Sequence, residues 1–134
     1  MHTIFVKSKL KLFLLPLIIL FSCEDDEIVE IKKPEITVIS PHTGPYSSDK
    51  PVDITIVVTS ETELKAYSYE IINNLWPGYY SKHSGVLTGT SDTIKATFSY
   101  NTTTEKHFGL HVNASDINDE KAEKVVTGFT VRGY

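Results

Sequence analysis

Val52-Asp53-Ile54-Thr55-Ile56-Val57-Val58-Thr59 sets a branched apolar side chain at every second position. A strand turns successive side chains to opposite faces, so Val52, Ile54, Ile56 and Val58 share one face while Asp53, Thr55 and Thr59 share the other. Residues 107–114 repeat the pattern. Phe108, Leu110, Val112 and Ala114 alternate there with Gly109, His111 and Asn113. Between them, Leu64–Asn73 sets Tyr67, Tyr69 and Ile71 against Ser68 and Glu70, and its Tyr and Ile content favours strand over helix.

Around these three segments the sequence predicts further short strands at 35–39, 93–100 and 124–132. Ile94, Ala96, Phe98, Tyr100, Val125, Phe129 and Val131 turn inward. Residues 40–48 are rich in breakers and read as a loop. Residues 74–92 read as a long connection with a short strand near 85–87, and 116–123 as a hairpin loop or one helical turn. No segment sustains a 3.6-residue period. About six or seven short strands with turn residues between them predict an all-β sandwich, two sheets packed about 10 Å apart.

The first two dozen residues follow a different logic. Lys7, Lys9 and Lys11 precede an apolar run of roughly ten residues ending at Phe21, half of the about 20 that a membrane-spanning helix needs. This is the pattern of an export signal, expected to be removed. Leu20-Phe21-Ser22-Cys23 resembles the lipobox of bacterial lipoproteins, in which the cysteine thiol accepts lipid. The resemblance implies cleavage before Cys23 and attachment to membrane lipid through its fatty chains, each buried methylene contributing ~0.8 kcal/mol. Cys23 is the only cysteine, so an exported domain has no internal disulfide and must be held by apolar burial. An ordinary secretory signal is the competing reading.

The expected organisation is therefore a signal peptide at 1–22, a lipidated tether at 23–33 and one domain at 34–134. The mature chain of about 112 residues carries a formal charge near −7, because all 17 carboxylates follow Cys23 and three lysines precede it. No basic cluster exceeds Lys32-Lys33, and binding nucleic acid requires a cationic face that releases counterions, so no nucleic-acid partner is expected.

Glu24-Asp25-Asp26-Glu27 should stay extended and solvated. It also resembles the acidic export signal of Bacteroidetes surface lipoproteins. That likeness implies the outer membrane and exposure at the cell surface, with the periplasmic face as the alternative. Lys33-Pro34-Glu35-Ile36, Tyr69-Glu70-Ile71-Ile72-Asn73-Asn74 and Val112-Asn113-Ala114-Ser115-Asp116 together resemble small Bacteroidetes surface lipoproteins with an immunoglobulin-like domain of unknown function. The likeness spans about residues 23 to 134 and implies an immunoglobulin-like β-sandwich. Some of those relatives carry a histidine-rich stretch after the paired asparagines, where this chain has only His83. The family supplies no catalytic residue.

Trp76, Tyr79 and Tyr80 crowd around Pro77-Gly78, with Lys82 and His83 close behind. Exposed aromatic rings stack on sugars or anchor peptides, so Trp76, Tyr79, Tyr80 and His83 are the candidate ligand-binding set. Packing into the core is the rival reading. Asp116-Ile117-Asn118-Asp119-Glu120 is similar to a cadherin calcium sequence, and Asp116, Asn118, Asp119 and Glu120 offer oxygen ligands. Cadherins place that sequence between domains and end it with Asn, which favours a solvated turn here. His107 and His111 would stand ~13 Å apart on a strand, too far to share a metal, so no metal is expected from them. Asp92-Thr93-Ile94 resembles a short bacterial O-glycosylation motif.

No G-x-S-x-G elbow, H-E-x-x-H pair or phosphate-cradling glycine loop is present, and no cofactor is expected. The sequence thus points to a membrane-anchored, non-enzymatic binding or accessory module for a glycan or protein ligand. The alternative is a structural subunit that packs on another cell-envelope protein.

Overall fold

The computed structural model describes residues 30–133 apart from Asn74, Trp76 and Pro77, and only the backbone of Tyr79. Cys23, the signal peptide and the acidic run lie outside the described residues. Eight strands follow in order: β1 Glu35–Ser40, β2 Pro45–Ser47, β3 Val52–Thr59, β4 Leu64–Asn73, β5 Tyr79–Val86, β6 Ser91–Phe98, β7 Lys106–Asp116 and β8 Val125–Arg132. They form a β-sandwich of a three-stranded sheet, β1-β3-β6, and a five-stranded sheet, β2-β8-β7-β4-β5. All pairings are antiparallel except β2 with β8. No described helix is long and apolar enough to cross a membrane.

The predicted alternation sets the core. Val52, Ile54, Ile56 and Val58 from β3 are buried with Ile94 and Phe98 from β6, against Tyr69, Ile71, Phe108, Leu110, Val112, Phe129 and Val131 of the larger sheet. Phe98 meets Phe108 and Phe129 edge-on at centroid distances of 5.0 and 5.7 Å, the arrangement that ring quadrupoles prefer. Among the described residues, every strand lies between Glu35 and Arg132.

Two expectations are corrected. The breaker-rich loop contains β2, which runs parallel to β8 in the register Pro45↔Thr130 to Ser47↔Arg132 and caps that sheet's edge. A three-residue strand shows no periodicity, so nothing in its sequence announces it. The long connection contains the strand β5, which starts well before the short strand expected near 85–87 and is paired with β4 from Ala66↔Val86 to Asn73↔Tyr79. Its outer edge has no partner strand among the described residues, and an edge strand does not need alternating apolar residues, which is why its polar sequence reads as a loop. The strand count rises from six or seven to eight. Residues 117–123 form a turn closed by a bridge between Ser115 and Lys121, and contain no helix.

Candidate functional site

The β4–β5 hairpin divides the residues expected to bind ligand. Asn73 ends β4 with its side chain buried, and its Oδ1 accepts a hydrogen bond from the Leu75 amide at 2.9 Å, which fixes the turn. Trp76 lies outside the described residues, as does the side chain of Tyr79. Tyr80 and His83 are both exposed. They are three positions apart on one strand, so alternation sends them to opposite faces of the sheet.

Tyr80 stands on the outward face of the five-stranded sheet and is 61% exposed. Its hydroxyl donates to Glu70 Oε1 at 3.1 Å, and Lys82 Nζ lies 3.5 Å from the same oxygen. The Tyr80 hydroxyl, and then the Lys82 and Lys124 ammonium groups, hold the Glu70 carboxyl below its ordinary range against the opposing effect of burial. Desolvation and the Glu70 carboxylate push the Tyr80 phenol up. Three side chains therefore fix one another on an open surface.

The register extends this surface across the sheet. Tyr80 is opposite Ile72, Ile72 opposite Gly109, and Gly109 opposite Gly128. The adjacent row is Lys82, Glu70, His111 and Val126. A Cβ on Gly109 would lie 3.1 Å from His111 Nε2, so the missing side chain makes room for the imidazole to lie along the sheet. His111 Nδ1 is buried beneath it with no hydrogen-bond partner among the described residues. Gly128 leaves bare, exposed backbone beside it. Four strands at about 4.8 Å spacing give this row a length of ~14 Å. The result is an open face with Tyr80 at one end, Lys82, Glu70, His111 and the exposed Val126 along one side, and the His111 ring laid over Gly109 beside the bare Gly128.

The opposite face of the hairpin forms a ledge. His83 stacks on Tyr69 at 4.8 Å, and Tyr69 lies parallel to Tyr67 at 6.4 Å. Gly85 is opposite Tyr67, and a Cβ there would lie 2.7 Å from the tyrosine ring. Only glycine lets the phenol cover the strand at that point. His83 Nε2 shares a 2.8 Å hydrogen bond with Ser81 Oγ. No described carboxylate bonds to the His83 ring, and the pair is open to water, so the arrangement lacks the orienting acid and dry pocket of a hydrolytic triad.

The calcium candidates have another use. Asp116 is buried, and its Oδ1 accepts hydrogen bonds from the backbone amides of Asn118 at 2.9 Å and Glu120 at 3.0 Å. Its Oδ2 accepts one from Thr62 Oγ1 at 2.5 Å. The Thr62 hydroxyl and these amides hold the carboxyl below its ordinary range, although desolvation opposes them. Asp119 adopts φ 63°, a left-handed conformation that Asp tolerates, and its carboxylate pairs with Lys65 at 2.6 Å. Asp116 is the hub of a turn, with its lone pairs directed at donors. Among the described residues no three His, Cys, Asp or Glu groups converge on a cation position.

The remaining candidates lie apart. His107 Nδ1 is 2.9 Å from Thr130 Oγ1 on the outward face, and Thr93 is exposed on the edge strand β6. At the start of the described chain, Ile31, Lys32 and Lys33 are exposed, and Lys32 pairs with Glu61 at 2.5 Å. Sequence reasoning did not find Glu70, His111, Gly109 and Gly128, since their role arises from cross-strand register. The chain matches no protein-family model and no curated protein.

Proposed function

We propose that the chain is a surface lipoprotein, held to the outer membrane through acylated Cys23, whose immunoglobulin-like domain binds a glycan on the outward face of its five-stranded sheet. The lipobox-like Leu20-Phe21-Ser22-Cys23 and the acidic run behind it support the anchoring. The strand order, with β1, β3 and β6 facing β2, β8, β7, β4 and β5, supports the immunoglobulin-like reading.

One observation carries the binding reading: Tyr80, 61% exposed, is held by Glu70 at the head of the Ile72, Gly109 and Gly128 row. A sugar ring offers apolar C–H faces and a rim of hydroxyls. Tyr80 meets the first, while Glu70, Lys82 and His111 meet the second. The platform is shallow and open, which suits an elongated ligand held without chemistry. Its affinity comes from stacking and hydrogen bonding, and it needs no cofactor or metal.

The test is titration of the chain from residue 24 onward with a panel of linear β-linked hexose oligosaccharides, followed by calorimetry. Saturable binding that Tyr80→Ala weakens about tenfold or more, with unchanged thermal unfolding, is expected. Binding that Tyr80→Ala leaves intact, or no binding by any member of the panel, would contradict the reading.

A further inference from the structure

We propose that β5 pairs with β5 of a second copy of this chain, antiparallel, about a two-fold axis that sets His83 opposite its own copy. This goes beyond the ligand-binding reading and stands on separate observations. Among the described residues β5 is the edge of the five-stranded sheet and is eight residues long, with no proline and no register shift along its pairing with β4. Such an edge presents unpaired backbone donors and acceptors and templates another strand. β2, at the sheet's other edge, has only three residues.

Register selects the axis. In an antiparallel pair, residues directly opposite point to the same face, so a two-fold axis perpendicular to the sheet must set one residue opposite its own copy, with the axis midway between them. An axis at Ser81 or Ser84 pairs only five residues of β5, whereas one at Lys82 or His83 pairs seven. The Lys82 axis sets two ammonium groups directly opposite, which is destabilising. The His83 axis places each Lys82 between its own Glu70 and the second copy's Ser84, where charge meets a hydroxyl acceptor. It also sets Tyr80 opposite the second copy's Val86, twice. These side chains are 61% and 78% exposed on the outward face, and cross-strand contact would shelter them.

The joined sheet would be ten strands wide, with the two Tyr80 platforms side by side and still open above. Pairing by one strand alone is weak in dilute solution. Anchoring of both copies through Cys23, as proposed above, would raise their effective concentration and favour it.

Cysteine crosslinking tests the register. The chain from residue 24 onward contains no cysteine, because Cys23 is the only one. Residues directly opposite have Cβ atoms about 4.5–5.5 Å apart, while diagonal neighbours are about 7–8 Å apart, and a disulfide forms only across the shorter separation. Under mild oxidation at high protein concentration, where the weak pairing is populated, His83→Cys should run mostly at twice the monomer mass, while Lys82→Cys and Ser84→Cys alone stay monomeric. Mixing Lys82→Cys with Ser84→Cys should restore the crosslink without disturbing His83. Val86→Lys should remove it from both. Equal crosslinking of His83→Cys and Lys82→Cys, or none in either His83→Cys or the mixed pair, would overturn the proposal. Oligosaccharide binding by the monomer would then still stand, so failure of pairing and failure of the binding reading are separable.

Discussion

The two outward faces of the sandwich are built by the same alternation and differ in what it exposes. On the three-stranded sheet, Thr37, Thr59, Thr93 and Thr97 are exposed, with Thr55 and Val57 partly so. In one row Thr37 is opposite Val57 and Val57 opposite Thr93. These are short, β-branched side chains that suit a pleated, half-wet surface and need nothing from one another. On the five-stranded sheet, Tyr80, Glu70 and Lys82 are linked through a single carboxylate oxygen, and His111 lies over a glycine. The threonine face is what folding requires of an exposed sheet. The Tyr80 face carries side chains that fix one another's positions, which exposure alone does not require.

Substitutions can break or sharpen that contrast. The largest effect should come from beneath both faces: Leu110→Ala, at a fully buried position, should destabilise the fold by ~2–5 kcal/mol, read from urea unfolding. It shows what loss of binding through unfolding looks like. Asp116→Asn should come next. The Asp116 carboxyl is held below its ordinary value, so its stabilising effect is complete above the ordinary carboxylate pKa and disappears as pH falls through the lowered one. The stability difference between the parent and Asp116→Asn should therefore be full near neutrality and shrink toward zero in strong acid. A difference that is constant with pH would mean that the charged form of the carboxylate is not what holds the turn.

Glu70→Gln acts on the Tyr80 face alone. Desolvation and Glu70 raise the Tyr80 pKa, so removing the charge should return it toward its ordinary value while burial keeps part of the shift. Magnetic-resonance titration of the Tyr80 ring carbons reads this directly, and oligosaccharide affinity should fall less than with Tyr80→Ala. The smallest effect belongs to Thr55→Ala and Thr93→Ala, which should leave binding unchanged and stability within about 0.5 kcal/mol. Weakened binding in either would move the site to the other face.

Much of the fold was legible because the core obeys a period of two. Val52–Thr59 and Leu64–Asn73 are strands over the residues expected, and β7 extends its predicted strand by one residue at the start and two at the end. The same period, carried past Ala114, reaches Asp116 and points it inward, a signal masked by the likeness to a calcium loop. β2 was not legible, being too short to show a period, and β5 was legible only at its end, where the strand expected near 85–87 overlaps it; the rest is an edge strand whose inward positions include the exposed His83. Of the candidate site, Tyr80 and His83 could be singled out as residues but not assigned to faces. Glu70 and His111 join Tyr80 only through pairings between strands distant in sequence, and Gly109 and Gly128 matter for the side chains they lack.

Nuclear magnetic resonance mapping of the chain from residue 24 onward, titrated with the linear oligosaccharides, tests the central claim most directly. Shifts should concentrate at Tyr80, Lys82, Glu70, Ile72, His111 and Gly128, leaving Thr37, Thr55, Thr93 and Thr97 in place. Shifts confined to the threonines, or none at saturating sugar, would contradict it.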